Sequence, residues 1–212
     1  MPLAFDARSR LLFVGDSITD AGRRDDPDGV GFGYVRLIRD YLRARDPTTA
    51  PHVLNAGISG DTVVDLGGRW SQDVLAHRPD IISIMIGVND VWHRLENAGN
   101  GGVPIGLYKQ VYAHLLQVTA DLLPTCKIVL CEPTVISPPA HPKGNEELSQ
   151  YVEAVHRLAR EARAETVVPL HGAFLAAQKF RPDIDWTTDG VHPTSTGHML
   201  IARTWLQATG SL

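Results

Sequence analysis

The chain has 212 residues, of which 43% are hydrophobic and 21% charged, with a formal net charge of −4. These values are typical of one globular domain over residues 1–212 and exclude disorder over most of the length. The acidic balance gives no electrostatic reason to expect a nucleic-acid partner, and no apolar run approaches the ~20 residues of a membrane span. The N-terminus has no signal-peptide pattern, so we expect a cytoplasmic protein with no membrane partner.

Five short runs, nearly continuous in apolar residues, predict strands that are buried on both faces. They lie at residues 11–14, 52–55, 81–86, 127–131 and 167–170. Between and after them, apolar residues at helical spacing predict helices at residues 34–45, 62–76, 107–122, 146–162 and 195–207. This alternation predicts an α/β fold, a three-layer α/β/α sandwich around a five-stranded parallel sheet.

Polar or glycine-rich segments follow the first three predicted strands and precede the last predicted helix. They occupy residues 15–20, 55–60, 87–90 and 189–193. Ligands of such sheets bind outside the carboxyl ends of the strands, so we expect the four segments to meet at one edge of the sheet.

The residue types in these segments match the requirements of ester hydrolysis by a serine nucleophile. Ser17 is the predicted nucleophile, and His192 is the predicted general base, because an imidazole titrates near neutral pH. Asp189 stands three residues before His192, a spacing that lets its carboxylate hold the imidazole Nδ1–H. The predicted donors to the oxyanion are the backbone N–H groups of Ser17 and Gly57 and the side-chain amide of Asn89.

Each segment also has a simpler interpretation. The 15–17 segment is a possible turn with Asp16 or Ser17 capping a helix, and the segments at 89–90 and 189–190 are possible ordinary turns. Ser59 is a competing serine, but Asp61 replaces the last glycine of a G-x-S-x-G elbow, so we interpret Ser59 as a supporting loop residue.

Metal-dependent hydrolysis is the other chemistry that acidic side chains in these segments suggest. No H-x-x-x-H or H-E-x-x-H spacing supports it, and the two cysteines, Cys126 and Cys131, lack C-x-x-C spacing. We therefore expect no metal site and two reduced thiols.

The four segments together resemble the conserved blocks of the SGNH hydrolases, also called the GDSL esterase/lipase superfamily. The matching residues stand in family order from position 15 to 193: Gly15-Asp16-Ser17, Gly57, Gly87-x-Asn89-Asp90 and Asp189-x-x-His192-Pro193. The resemblance implies a flavodoxin-like fold, a Ser17–His192–Asp189 triad, oxyanion donors at Ser17, Gly57 and Asn89, and no cofactor.

A narrower likeness points to one group within that superfamily. Residues 12–23, 33–35, 55–60, 83–92 and 192–199 resemble the intracellular acetylxylan esterases of bacteria. This likeness implies a homo-oligomer that removes acetyl groups from xylo-oligosaccharides. Trp92 and Trp186 stand beside the candidate catalytic segments and suit sugar rings, so we name them, with Asp16, as candidate substrate-binding residues.

Two other functions remain open from the sequence. A lysophospholipase or thioesterase of the same superfamily would use the same chemistry, and a non-catalytic relative would bind carbohydrate without hydrolysing it. Residues 97–102 and 137–144 look like loops over the strand ends, and neither supplies the extended apolar lid of a long-chain lipase.

Overall fold

The computed structural model describes residues 2–96 and 101–212. Its centre is a sheet of five parallel strands: β1 (Arg10–Gly15), β2 (His52–Gly57), β3 (Ile81–Met85), β4 (Lys127–Cys131) and β5 (Thr166–Val168). The spatial order is β2-β1-β3-β4-β5. The order reverses beside β1, so the carboxyl ends of β1 and β3 flank the crevice in which α/β sheets bind ligands.

In the described part of the chain, eight α-helices connect or flank the strands. They are α1 (Ser17–Asp20), α2 (Tyr34–Arg45), α3 (Val63–Asp73), α4 (Val88–Glu96), α5 (Ile105–Leu122), α6 (Gly144–Glu161), α7 (Leu170–Phe180) and α8 (Ser195–Ala208). α8 packs against α2 and α7, while α5 packs against α3 and α6. The sheet is therefore covered by two helical layers, which confirms the predicted α/β/α sandwich.

The burial of the strands in the core explains why their sequences are nearly continuous in apolar residues. Every residue of β3 is buried, and β1 is buried from its second residue onward. Buried apolar side chains from Leu3 to Leu206 form one contiguous cluster, and this continuity supports the single-domain hypothesis. Among the described residues, no helix is long and apolar enough to cross a membrane.

Three helices were not predicted. α1 and α4 begin within two or three residues of a strand end, so their sequences look like turns. α7 starts at Leu170, directly after Pro169, whereas residues 167–170 were predicted to be a strand. In the predicted 97–102 loop, residues 97–100 lie outside the described part of the chain.

Candidate active site

The four polar segments meet at the carboxyl edge of the sheet, where a chain of hydrogen bonds links Ser17, His192 and Asp189. Ser17 Oγ lies 2.9 Å from His192 Nε2, and His192 Nδ1 lies 2.7 Å from Asp189 Oδ2. These contacts join a serine near the N-terminus to a histidine near the C-terminus. A hydroxyl, an imidazole and an orienting carboxylate in hydrogen-bond reach have the geometry of an activated nucleophile.

In the hydrogen-bonded chain, the contacts between Asp189 and His192 are formed within a short stretch of sequence. Asp189 Oδ1 accepts hydrogen bonds from the backbone N–H groups of Val191, at 2.9 Å, and His192, at 2.8 Å. Partial burial raises the pKa of Asp189, but the bonds from the His192 side chain and from these two N–H groups outweigh it and lower the pKa. The ionised carboxylate is the form that holds an Nδ1–H and leaves Nε2 free to accept a proton.

Ser17 is the first residue of α1, and Asp16 is its N-cap. The Asp16 carboxylate accepts the Ile18 N–H at 3.0 Å, and its residue is only 1% exposed. Burial raises the pKa of Asp16 to about 7, although the Ile18 N–H and His192 oppose the rise. The prediction that Asp16 contacts substrate is therefore wrong, because a buried capping group does not reach a ligand.

Two of the three predicted oxyanion donors are available. Within the described residues, the Ser17 N–H has no hydrogen-bond acceptor. The Asn89 Nδ2 amide donates one hydrogen to Asp61 O at 3.0 Å, which leaves its second hydrogen for a ligand.

The prediction that the Gly57 N–H is the third oxyanion donor needs correction. Its backbone N–H is buried and already donates to Asn55 Oδ1 at 2.8 Å. Gly57 is also the last residue of β2, and the Cβ of any other residue there would lie 2.3 Å from Asp20 N. The glycine is thus required for close packing of α1 against β2, and its N–H is occupied.

Gly60 is a better candidate, which the sequence interpretation missed. It is exposed, has a φ of +87°, and has nothing within 4 Å of where a Cβ would stand. In the described part of the chain its N–H has no acceptor. The Asn89 amide binds the carbonyl of the next residue, Asp61. The second glycine of the Asn-x-Gly-x-x-Gly segment was the available sequence signal.

Arg69 is a second residue that the sequence interpretation missed. Its guanidinium donates to Gly15 O at 3.1 Å, Ala56 O at 2.7 Å and Asp61 Oδ2 at 2.6 Å. Burial raises the pKa of Asp61 despite the opposing bond from Arg69. One side chain from α3 therefore fixes the end of β1, the end of β2 and the loop whose carbonyl holds Asn89.

Ser59 lies outside the hydrogen-bonded chain. Its Oγ donates to Asp20 Oδ2 at 3.1 Å, so it ties the 57–62 loop to the end of α1. That is the supporting position expected of it. Among residues 2–96 and 101–212, no three His, Cys, Asp or Glu side chains are arranged to hold a metal ion.

The two tryptophans occupy different surroundings. The Trp92 ring lies edge-on to the His192 ring, with 5.6 Å between centroids and an interplanar angle of 63°. The Trp186 indole N–H donates to Arg181 O at 3.0 Å. In the described chain, no hydrogen bond or ring contact joins Trp186 to Ser17 or His192. Trp92 adjoins the reacting groups, whereas Trp186 lies in the segment leading to them.

Comparison with known proteins gives consistent matches along the chain. The GDSL-like lipase/acylhydrolase family matches residues 13–200. An acetylxylan esterase of Geobacillus stearothermophilus is 36% identical over 212 residues, covering 95% of this chain and 94% of the relative.

Solved structures show the same similarity in three dimensions. A catalytic mutant of Axe2, an acetylxylan esterase from Geobacillus stearothermophilus, is 34% identical with a TM-score of 0.88, and the match covers 98% and 97% of the two chains. LAE5, an alpha/beta hydrolase enzyme from the metagenome of Lake Arreo, is also 34% identical with a TM-score of 0.88, covering 98% of each chain.

Proposed function

Since this chain belongs to the GDSL-like lipase/acylhydrolase family and is a carboxylic ester hydrolase, we propose that it removes acetyl groups from carbohydrate through Ser17. The proposed substrates are acetylated sugars of the xylo-oligosaccharide type. The observation that carries the proposal is the continuous hydrogen-bonded chain from Ser17 Oγ through His192 to Asp189 at the carboxyl edge of the sheet.

The reaction proceeds in two steps. His192 Nε2 takes the Ser17 hydroxyl proton as Oγ attacks the acetyl carbonyl, and the same nitrogen then protonates the departing sugar oxygen. The result is an acetyl group on Ser17 and a free sugar hydroxyl. Water, deprotonated by His192, attacks this acetyl group, and acetate leaves as Ser17 regains its proton. Asp189 keeps the imidazole oriented and stabilises its charged form.

The negative charge of each tetrahedral intermediate requires hydrogen-bond donors. We assign the Ser17 N–H, the free Asn89 amide hydrogen and the Gly60 N–H, because the Gly57 N–H is engaged by Asn55. Each donor of this kind contributes about 10²–10³ to turnover. Arg69 supports the arrangement, since it fixes the strand end before Ser17 and the loop that contains Gly60.

Two observations favour acetylated carbohydrate within the family. The curated relative with 36% identity over 95% of this chain is an acetylxylan esterase. Beside His192, the partly buried Trp92 ring offers an apolar wall to an acetyl group or a sugar. The homo-oligomeric state and cytoplasmic location expected from the sequence stay predictions.

A fluorophosphonate probe tests the nucleophile. We expect one modification, assigned to Ser17 by peptide mass spectrometry, and we expect Ser17→Ala to lose both labelling and turnover of p-nitrophenyl acetate. Ser59→Ala is the matched control, because it removes another hydroxyl of the same site edge without touching His192. Labelling that survives in Ser17→Ala would contradict the assignment, and a protein without labelling or turnover would fit the non-catalytic carbohydrate binder instead.

Acyl-chain preference separates deacetylation from the rival activities. We expect faster turnover of p-nitrophenyl acetate than of the octanoate ester, and release of acetate from acetylated xylo-oligosaccharides. Preference for the octanoate ester would favour a lysophospholipase or thioesterase.

A further inference from the structure

A cavity of about 510 Å³ lies directly behind the segment that contains Asp189 and His192. Its walls come from the 137–145 loop, the end of α7 and residues 182–188. None of its lining residues takes part in the hydrogen-bonded chain described above. A cavity of this volume is in the range of sites that bind small molecules.

Two backbone contacts connect this cavity to the candidate active site. Thr188, which lines it, donates both its N–H and its Oγ1 to His192 O, at 2.8 and 3.2 Å. Ser137, which also lines it, donates its N–H to Gly190 O at 2.9 Å. A ligand in the cavity would thus lie against Thr188 and Ser137, which hold the backbone carbonyls of His192 and Gly190.

Trp186 gives the cavity an aromatic wall. Its indole N–H is held by Arg181 O at 3.0 Å, and the ring is partly buried against the core, so its orientation is fixed before any ligand binds. A fixed aromatic ring is an apolar surface against which the C–H face of a sugar packs, with little entropy lost on binding.

Polar side chains complete the lining. The Ser137 hydroxyl donates to Gln178 Oε1 at 3.2 Å and accepts from Asn145 Nδ2 at 3.0 Å. This relay orients Gln178 so that both Nε2 hydrogens remain available, since no described residue accepts them. Asp185 adds an exposed carboxylate. Amide donors beside a carboxylate acceptor match the alternating donors and acceptors of sugar hydroxyls.

The charge of the lining argues against an anionic ligand. Among the described residues that line the cavity, Asp185 is the charged one, and none is a lysine, arginine or histidine. A phosphate group, as on a phospholipid, would meet a carboxylate without a compensating cation.

We propose that this cavity binds a neighbouring sugar unit of an acetylated oligosaccharide while another unit presents its acetyl group to Ser17. The proposal rests on the carbohydrate deacetylase activity proposed above. It assigns Trp186 to stacking and Gln178 to hydrogen bonding.

Gln178→Glu tests the proposed hydrogen bond from Gln178 to the sugar with little change in side-chain shape. The substitution keeps an Oε1 acceptor for Ser137 and removes both Nε2 donors. For acetylated xylotriose we expect KM to rise about fivefold with kcat unchanged, and for p-nitrophenyl acetate we expect no change. Gln150→Glu is the matched control, because it makes the same charge change on the exposed surface of α6, outside this cavity.

Binding without turnover gives a second, independent readout. Isothermal titration calorimetry measures the affinity of the inactive Ser17→Ala variant for unacetylated xylotriose. We expect the double variant Ser17→Ala/Trp186→Leu to bind this sugar about tenfold more weakly. Unchanged KM in Gln178→Glu, together with unchanged affinity in the Trp186→Leu background, would overturn the cavity assignment while esterase turnover persists. Failure of the proposed function itself would appear differently, as loss of acetate release from every acetylated sugar.

Discussion

The two sides of the candidate site are held by different kinds of contact. On the Ser17 side, which comprises residues 15–20, 55–62, 69 and 89–90, buried groups are joined by hydrogen bonds between residues distant in sequence, such as Arg69 with Gly15 and Asn89 with Asp61. On the His192 side, residues 186–194, most hydrogen bonds are local, and the side chains of His192 and Asp189 are 37% and 44% exposed.

This difference separates activity from stability. A buried polar group that loses its partner costs the full desolvation of that group, so changes that break these hydrogen bonds or the packing around them should weaken the fold together with catalysis. An exposed segment with local bonds contributes little to global stability, so changes on the His192 side should affect turnover far more than stability.

The largest expected effect is on the His192 side. His192→Ala removes the proposed general base and should lower kcat for p-nitrophenyl acetate about 10⁴-fold, while the free energy of unfolding changes by less than about 1 kcal/mol. Steady-state kinetics and urea unfolding measure the two quantities on the same preparation. A loss of stability comparable with that of a core substitution would show that the His192 side is part of the structural framework.

The pH dependence of stability should differ in sign between the two sides. Between pH 4 and 7 folded Asp16 keeps a proton that the unfolded chain has lost, because burial raises its pKa from 3.8 to about 7. Its contribution to stability therefore falls as pH rises through this range. Asp16→Asn keeps an oxygen for the Ile18 N–H but does not titrate. The variant should gain up to about 4 kcal/mol relative to the parent between pH 4 and 8.

Asp189→Asn provides the contrasting measurement. Hydrogen bonds lower the pKa of Asp189, so its contribution is present above the ordinary carboxyl pKa and is lost as pH falls through the folded value. The stability difference between parent and Asp189→Asn should therefore shrink toward acid pH. Urea unfolding at several pH values gives both curves, and parallel curves for the two variants would contradict the comparison.

Gly57→Ala should cost stability because of packing on the Ser17 side. The added Cβ would stand 2.3 Å from Asp20 N and 2.7 Å from Thr19 C, both backbone atoms that cannot rotate away. We expect about 3 kcal/mol of lost stability and a loss of activity, since α1 also contains Ser17. Gly68→Ala is the control, because its Cβ meets nothing within 4 Å and alanine favours a helix interior. Equal stability of the two variants would disprove the close approach of β2 and α1.

The same contrast explains what could be predicted from sequence. Ser17, His192 and Asp189 could be proposed together from the sequence because strand ends converge and because Asp189 and His192 are only three residues apart. Arg69 was missed because it binds the backbone carbonyl of Gly15 and the side chain of Asp61. No rule of sequence spacing pairs Arg69 with either group.

The two wrong assignments had a different cause. Asp16 and Gly57 were identified from residue type, but their roles depend on which neighbour each group meets. The Asp16 carboxylate turns inward to cap α1, and the Gly57 N–H turns to Asn55. In each pair the donor N–H lies two residues after the Asp or Asn side chain that accepts it, and the sequence alone can suggest such an Asx-type hydrogen bond. The burial of these groups, which keeps a ligand away from them, depends on the assembled sheet and could not be predicted.

Trp92 should give the smallest effect, because its ring contact with His192 is weaker than the Ser17–His192 hydrogen bond that also joins the two sides. It lies on α4, which begins on the Ser17 side, and its ring edge meets the His192 imidazole. An aromatic pair of this kind contributes about 0.5–1.5 kcal/mol, so Trp92→Leu should lower kcat about three- to tenfold on p-nitrophenyl acetate. Trp92→Phe keeps an aromatic edge and should retain most of the rate. If instead both variants keep kcat and raise KM for acetylated xylotriose alone, Trp92 contacts the sugar, as the sequence suggested, and does not position His192.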